Sequence, residues 1–60
     1  MNKNIKTNKA ECLNCHDVIE SKTVHDWVAC HCGAIFVDGG KHYLRRGGEM
    51  NMIKDLTEYE

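Results

Sequence analysis

Cys12-Leu13-Asn14-Cys15, followed after residues 16–29 by Cys30-His31-Cys32-Gly33, is the part of this chain whose reading decides its fold. Two short chelating loops joined by a hairpin can bring four thiolates to tetrahedral positions, the geometry of a closed structural Zn²⁺ site. Cys12, Cys15, Cys30 and Cys32 are therefore the expected metal ligands. Gly33 directly after Cys32 suits such a loop, because this position often requires a backbone conformation that glycine adopts without steric cost. In the first loop His16 stands in that place, and the second pair is spaced Cys-x-Cys rather than Cys-x-x-Cys. These departures leave room for an imidazole, so a set of three thiolates with His16, His25 or His31 stays open, as does iron in place of zinc.

Size explains why a staple is needed. A domain of 60 residues buries only about 60% of the surface its unfolded chain exposes, which leaves it marginal on hydrophobic burial alone. One Trp, one Phe, two Tyr and scattered aliphatics supply a single thin core layer and no deep pocket. A bound structural Zn²⁺ contributes on the order of 10–16 kcal/mol, which becomes folding free energy, so the metal-free chain is expected to be largely unfolded. Disulfides are the rival staple of small secreted domains. Met1 to Ala10, however, is polar and lysine-bearing, with no apolar signal region, and no run of apolar residues approaches a membrane span. The expectation is a cytoplasmic protein with free thiols and no membrane contact.

The chain reads as one domain without repeats, linkers or proline. Its parts are expected to be a flexible basic segment over 1–9, the metal-stapled unit over 10–48 and an acidic segment over 49–60. Lys3, Lys6 and Lys9 at one end and Glu49, Asp55, Glu58 and Glu60 at the other leave the termini oppositely charged, to attract each other or a partner, or to remain solvated tails. Val18-Ile19 and Val24–Ala29, separated by a polar turn, predict a hairpin between the cysteine pairs, with Trp27 as core anchor. Ala34–Val37 and Lys41–Arg46, joined by Asp38-Gly39-Gly40, predict a second hairpin. Met52, Ile53, Leu56 and Tyr59 fit a short C-terminal helix or a last strand.

Other readings of the cysteines fail on context. Cys12-Leu-Asn-Cys15-His16 matches the covalent haem-attachment pattern, but haem attachment normally follows export and would leave Cys30 and Cys32 unused. A thioredoxin-type redox pair lacks the βαβ surroundings it needs. The zinc deaminase pattern requires His-x-Glu and Pro-Cys-x-x-Cys, and this chain has no proline. Four thiolates would also close the coordination position that a catalytic zinc keeps open, so the site is expected to be structural, with no catalytic residues.

Cys-x-x-Cys, then Cys-x-Cys-Gly, then Val37-Asp38-Gly39-Gly40 and Tyr43-Leu44-Arg45-Arg46-Gly47-Gly48 resemble the zinc ribbons, the rubredoxin-like family in which two cysteine knuckles on β-hairpins clamp one metal. The resemblance covers roughly residues 10–46 and is closest to short zinc-ribbon proteins of bacteria and their phages, which bring no activity with them. It implies a small β fold of two hairpins around one Zn²⁺ at Cys12, Cys15, Cys30 and Cys32, a cytoplasmic location, and a phage or prophage origin. With the four thiolates on Zn²⁺ the formal charge moves from −1 to about −3, which weighs against general nucleic-acid binding. The first expectation is a non-enzymatic adaptor or inhibitor that binds another protein, such as a phage protein acting on a host factor. The second is a nucleic-acid-binding ribbon, with self-association open under either. Lys41, His42, Tyr43, Arg45 and Arg46 are read as one basic strand with an aromatic residue, and Tyr43, Arg45 and Arg46 as its contact residues; the same strand could instead be an edge protected by charge.

Overall fold

The computed structural model describes residues 4–60. Its strands are β1 (Ile5–Cys12), β2 (Val18–Ser21), β3 (Val28–Ala29), β4 (Ile35–Asp38), β5 (Arg45–Gly48), β6 (Ile53–Asp55) and β7 (Glu58–Tyr59), with one 3-10 turn at Met50–Met52. They form two antiparallel sheets, β2-β1-β6 with β7 also on β1, and β3-β4-β5. Among the described residues there is no α-helix, and hence no helix long and apolar enough to cross a membrane.

Strand β1 organises the first sheet. Along it Asn8, Ala10 and Cys12 turn inward and are buried, while Thr7, Lys9 and Glu11 between them stay partly exposed, the alternation a half-buried strand requires. Ala10 lies opposite Ile19 of β2, and Cys12 lies opposite Ile53 of β6. From Ile5 onward, then, the expected flexible segment over 1–9 is a strand; residues 1–3 lie outside the described residues. The acidic segment pairs with it as β6 and β7, and Thr7 Oγ1 donates to Glu58 Oε1 at 3.1 Å. Of the two C-terminal expectations, the strand is the one found.

Asn8 joins the sheets. It is fully buried, and its Nδ2 donates to the carbonyls of Asp38 at 2.9 Å and Gly40 at 3.1 Å, with Tyr43 O at 3.3 Å. Its Oδ1 accepts from Arg46 Nη2 at 2.8 Å. Arg46 also reaches Asp55 Oδ1 at 2.9 Å and Thr57 Oγ1 at 3.0 Å, so one guanidinium ties β5 to β1 and to the C-terminal strands. A buried amide is retained because every polar atom it carries is satisfied.

The apolar interior is thin: Ala10, Cys12, Ile19, Cys30, Ile35 and Val37 are buried, with Val28, Ala34, Met52 and Ile53 packed against them. Two of these buried residues are thiols, so the core runs without a break into the cysteine cluster. Trp27 is not part of it. It is 58% exposed and lies against Phe36 with ring centroids 5.2 Å apart. Val28 pairs with Val37 and Ala29 with Phe36, so the inward face of this sheet is filled by small aliphatics and the aromatics stand on the other face. The expected core anchor is thus a surface residue.

The hairpins also differ from expectation. β2 pairs with β1 through the first cysteine loop, and not with β3. Residues 22–27 instead cross between sheets, held by Ser21 Oγ, which donates to Asp26 O at 2.6 Å and accepts from Gly40 N at 2.9 Å. The second hairpin is β4–β5, with Asp38 opposite Arg45. Its connection runs over 39–44, so Lys41, His42, Tyr43 and Leu44 belong to a loop rather than to a strand. Gly40 is needed there: at φ +55° a Cβ would lie 2.3 Å from the Thr23 backbone.

Candidate metal centre

Each cysteine pair occupies a knuckle at a strand end. In the first, Cys12 closes β1, residues 13–15 turn, and the His16 N–H donates to Cys12 O at 2.7 Å. In the second, between β3 and β4, the Gly33 N–H donates to Cys30 O at 3.0 Å. Both turns end in the left-handed region, with φ +64° at His16 and +77° at Gly33. His16 therefore takes the backbone role of glycine, which histidine tolerates at some strain. Its imidazole points away from the sulfurs, with Nδ1 3.5 Å from Glu11 Oε2.

The four thiols are free, and their sulfurs lie within 4.8 Å of one another. Cys12 and Cys32 approach to 3.7 Å, and Cys30 and Cys32 to 3.6 Å. A tetrahedron with metal–sulfur bonds of about 2.3 Å has edges of about 3.8 Å, so this donor set fits one ion of that kind. The ligand cluster contains no histidine. Two contacts hold the knuckles to each other: the His31 N–H donates to Asp17 Oδ2 at 2.9 Å, and Asn14 Nδ2 donates to Cys32 Sγ at 3.2 Å. Neither Asn14 nor Asp17 stood out in the sequence, although an amide side chain inside a Cys-x-x-Cys turn is well placed to serve a thiolate of the facing knuckle.

Proton affinity differs among the sulfurs. The Asn14 amide, followed by the Ala34 N–H, lowers Cys32 to about 6 against the opposing pull of burial. At Cys12 the Cys15 N–H favours the thiolate, but burial and the neighbouring Cys30 and Cys32 sulfurs outweigh it and raise the thiol to about 11. Burial pushes Cys30 up, and the Ile35 N–H, 3.4 Å from its sulfur, helps bring it below its ordinary value. The cluster thus offers one ready thiolate beside a thiol that a cation must deprotonate, so metal binding releases protons.

The other singled-out residues are not all offered to solvent. Tyr43 is exposed in the 39–44 loop, and Arg45 is exposed at the start of β5. The Arg46 side chain is only 14% exposed and is engaged by Asn8, Asp55 and Thr57, so as placed it has little to offer a partner. The exposed Trp27 was missed as a surface feature, because period-two alternation separates two faces without saying which one is covered.

A small all-β protein of two antiparallel sheets, with four clustered cysteines able to clamp a metal ion, fits a zinc-ribbon-like fold. Residues 4–48 match the family described as a domain of unknown function, DUF7695, and the chain belongs to that family. No curated protein and no solved structure matches the chain.

Proposed function

We propose that this protein is a non-enzymatic recognition module, folded around one Zn²⁺ and acting in the cytoplasm by docking on another macromolecule. The zinc assignment draws on the all-sulfur donor set, whose edges suit a closed tetrahedral site. The observation that carries the recognition reading is Trp27, a large aromatic held out to solvent on Phe36 in a chain too small to spare it from its core. Tryptophan, tyrosine and arginine dominate binding hot spots, and Tyr43 and Arg45 are exposed in the loop before β5 and at its start, the end of the second sheet at which Trp27 leads into β3.

On the first reading the partner is a protein and the chain is an adaptor or inhibitor, in one form a phage protein acting on a host factor. A second reading, nucleic-acid binding, is favoured by the distribution of charge. Lys22, Lys41 and Arg45 are exposed near the end of the second sheet at which Trp27 enters it, while Glu11, Glu20, Asp55, Glu58 and Glu60 lie on the first sheet and its flanks among Lys6, Lys9 and Lys54. The experiment is affinity capture with the zinc-loaded protein and its Trp27→Ala variant, with and without nuclease, followed by mass spectrometry. A partner captured by the parent and lost with Trp27→Ala supports recognition through this face. Identical captures by the two proteins would refute it.

A further inference from the structure

The outer face of the second sheet carries a defined set of side chains. Phe36 pairs with Ala29 on one side and Gly47 on the other, and Asp38 pairs with Arg45, so Ala29, Phe36, Asp38, Gly47 and Arg45 share one face with Trp27. Trp27 and Phe36 stack at 5.2 Å with 31° between their planes. The neighbouring position on β5 is bare, since a Cβ on Gly47 would fall 2.6 Å from the Phe36 ring. The result is an open aromatic step without walls, and among the described residues there is no cleft.

Charge gathers at one end of this face. The loops 22–27 and 39–44 touch where Gly40 packs on Thr23 and donates to Ser21 Oγ, which brings Lys22 and Lys41 to the end at which Trp27 enters the sheet and Arg45 begins β5. No ion pair forms to any of these three cations among the described residues. The two acids of the same segment are turned to backbone N–H groups: Asp38 Oδ1 accepts from Gly39 at 2.8 Å and Asp26 Oδ2 accepts from Lys22 at 3.0 Å. The cysteine knuckle lies at the opposite ends of β3 and β4, so the negative charge of a metal–thiolate centre sits away from the cations.

We infer that this face binds single-stranded nucleic acid, a base stacking on Trp27 while Arg45, Lys41 and Lys22 hold the flanking phosphates; the inference rests on the second reading above. Stacking needs only an exposed ring face and is tolerant of sequence. A protein partner would have to bring the whole pocket for Trp27 itself, because hot-spot residues act in closely packed, desolvated surroundings. Net negative charge weakens long-range attraction but does not abolish it, because the cations are local to the platform and screening removes charges more than about 10 Å away.

Trp27 is the one tryptophan of the chain, so its fluorescence reports on the site directly. The test titrates the zinc-loaded full chain with an oligothymidylate of about 15 nucleotides, a length that accommodates a single binding site of this kind. The expected result is saturable quenching of Trp27 at low salt, weakened as salt rises. Followed by anisotropy of a labelled oligonucleotide, Trp27→Ala should weaken binding by about 5-fold to 150-fold, the range for one stacked base. Arg45→Gln should reduce the salt slope by about 0.7. Zinc content by native mass spectrometry confirms that each variant is folded, and Trp27→Phe, which keeps a stacking ring, should bind closer to the parent than Trp27→Ala. Absence of saturable quenching, equal affinity for a duplex of mixed sequence, or binding indifferent to Trp27→Ala would each overturn the inference. If instead a poly-glutamate peptide quenches Trp27 and the oligonucleotide does not, the face takes acidic protein. That outcome overturns the inference and leaves the recognition module standing; identical captures by parent and Trp27→Ala would remove the module reading itself.

Discussion

Replacing Asn8 with alanine removes a buried side chain that joins the two sheets by hydrogen bonds alone. The amide is fully buried, so nothing from solvent takes over its role without opening the interface. Its removal leaves the Asp38 and Gly40 carbonyls without the Nδ2 donor and Arg46 Nη2 without the Oδ1 acceptor. Two neutral bonds contribute about 1 kcal/mol each and a bond to a charged group about 2 kcal/mol, so the expected loss is about 4 kcal/mol. That is a large share of the stability of so small a domain, for which even ordinary proteins have only about 5–15 kcal/mol. Asn8→Asp separates the two halves of the argument. It keeps an acceptor for Arg46 but turns a carboxylate on two backbone carbonyls, so it should also destabilise. The assay is urea unfolding of the zinc-loaded protein followed by circular dichroism, with zinc content checked before each run. A loss below about 1 kcal/mol for Asn8→Ala, or an Asn8→Asp variant as stable as the parent, would refute the reasoning.

Trp27→Ala should lower stability by only about 1 kcal/mol, the value of an aromatic pair, rather than the 3–5 kcal/mol of a buried tryptophan, and thermal melting distinguishes the two. His16→Gly should raise stability by about 1 kcal/mol by relieving the left-handed backbone, with zinc still bound; loss of the metal would show that His16 is a ligand after all. Asn14→Ala removes the hydrogen bond that lowers Cys32, so zinc should be released at a higher pH than from the parent. The sign follows from the metal holding the thiols below their unfolded value of about 8.5: the stabilisation is full above that pH and is lost as pH falls through the lower, metal-bound value. A pH titration of zinc release against a chromogenic chelator checks it, and coincident curves would refute the role given to Asn14.

The metal knuckles were legible because chelation imposes spacing: two sulfurs one or two residues apart can reach one ion, and Gly33 marks the turn that lets them. The β4–β5 hairpin was legible for a similar reason, since Asp38-Gly39-Gly40 declares a positive-φ turn, here confirmed at Gly40. Strand β1 was not. Between Ile5 and Ala10 it offers no apolar residue, and its inward position is filled by Asn8, whose partners Asp38, Gly40 and Arg46 lie far along the chain. A polar residue that becomes buried through distant partners leaves no local trace. The same holds for Val18–Ser21, which could pair forward or backward, and which pairs backward because β1 brings Ala10 opposite Ile19. Trp27 misled because size suggests burial, whereas the second sheet's inward apolar positions are taken by Ile35 and Val37, with Val28 packed against them.

The central claim is that four thiolates on one Zn²⁺ hold this fold, and native mass spectrometry under reducing conditions, paired with amide NMR before and after a strong chelator, tests it most directly. One zinc per chain and collapse of the dispersed amide spectrum on chelation is the predicted result. A metal-free chain that keeps its dispersed spectrum, an iron-bound chain, or a chain closed by two disulfides would contradict it.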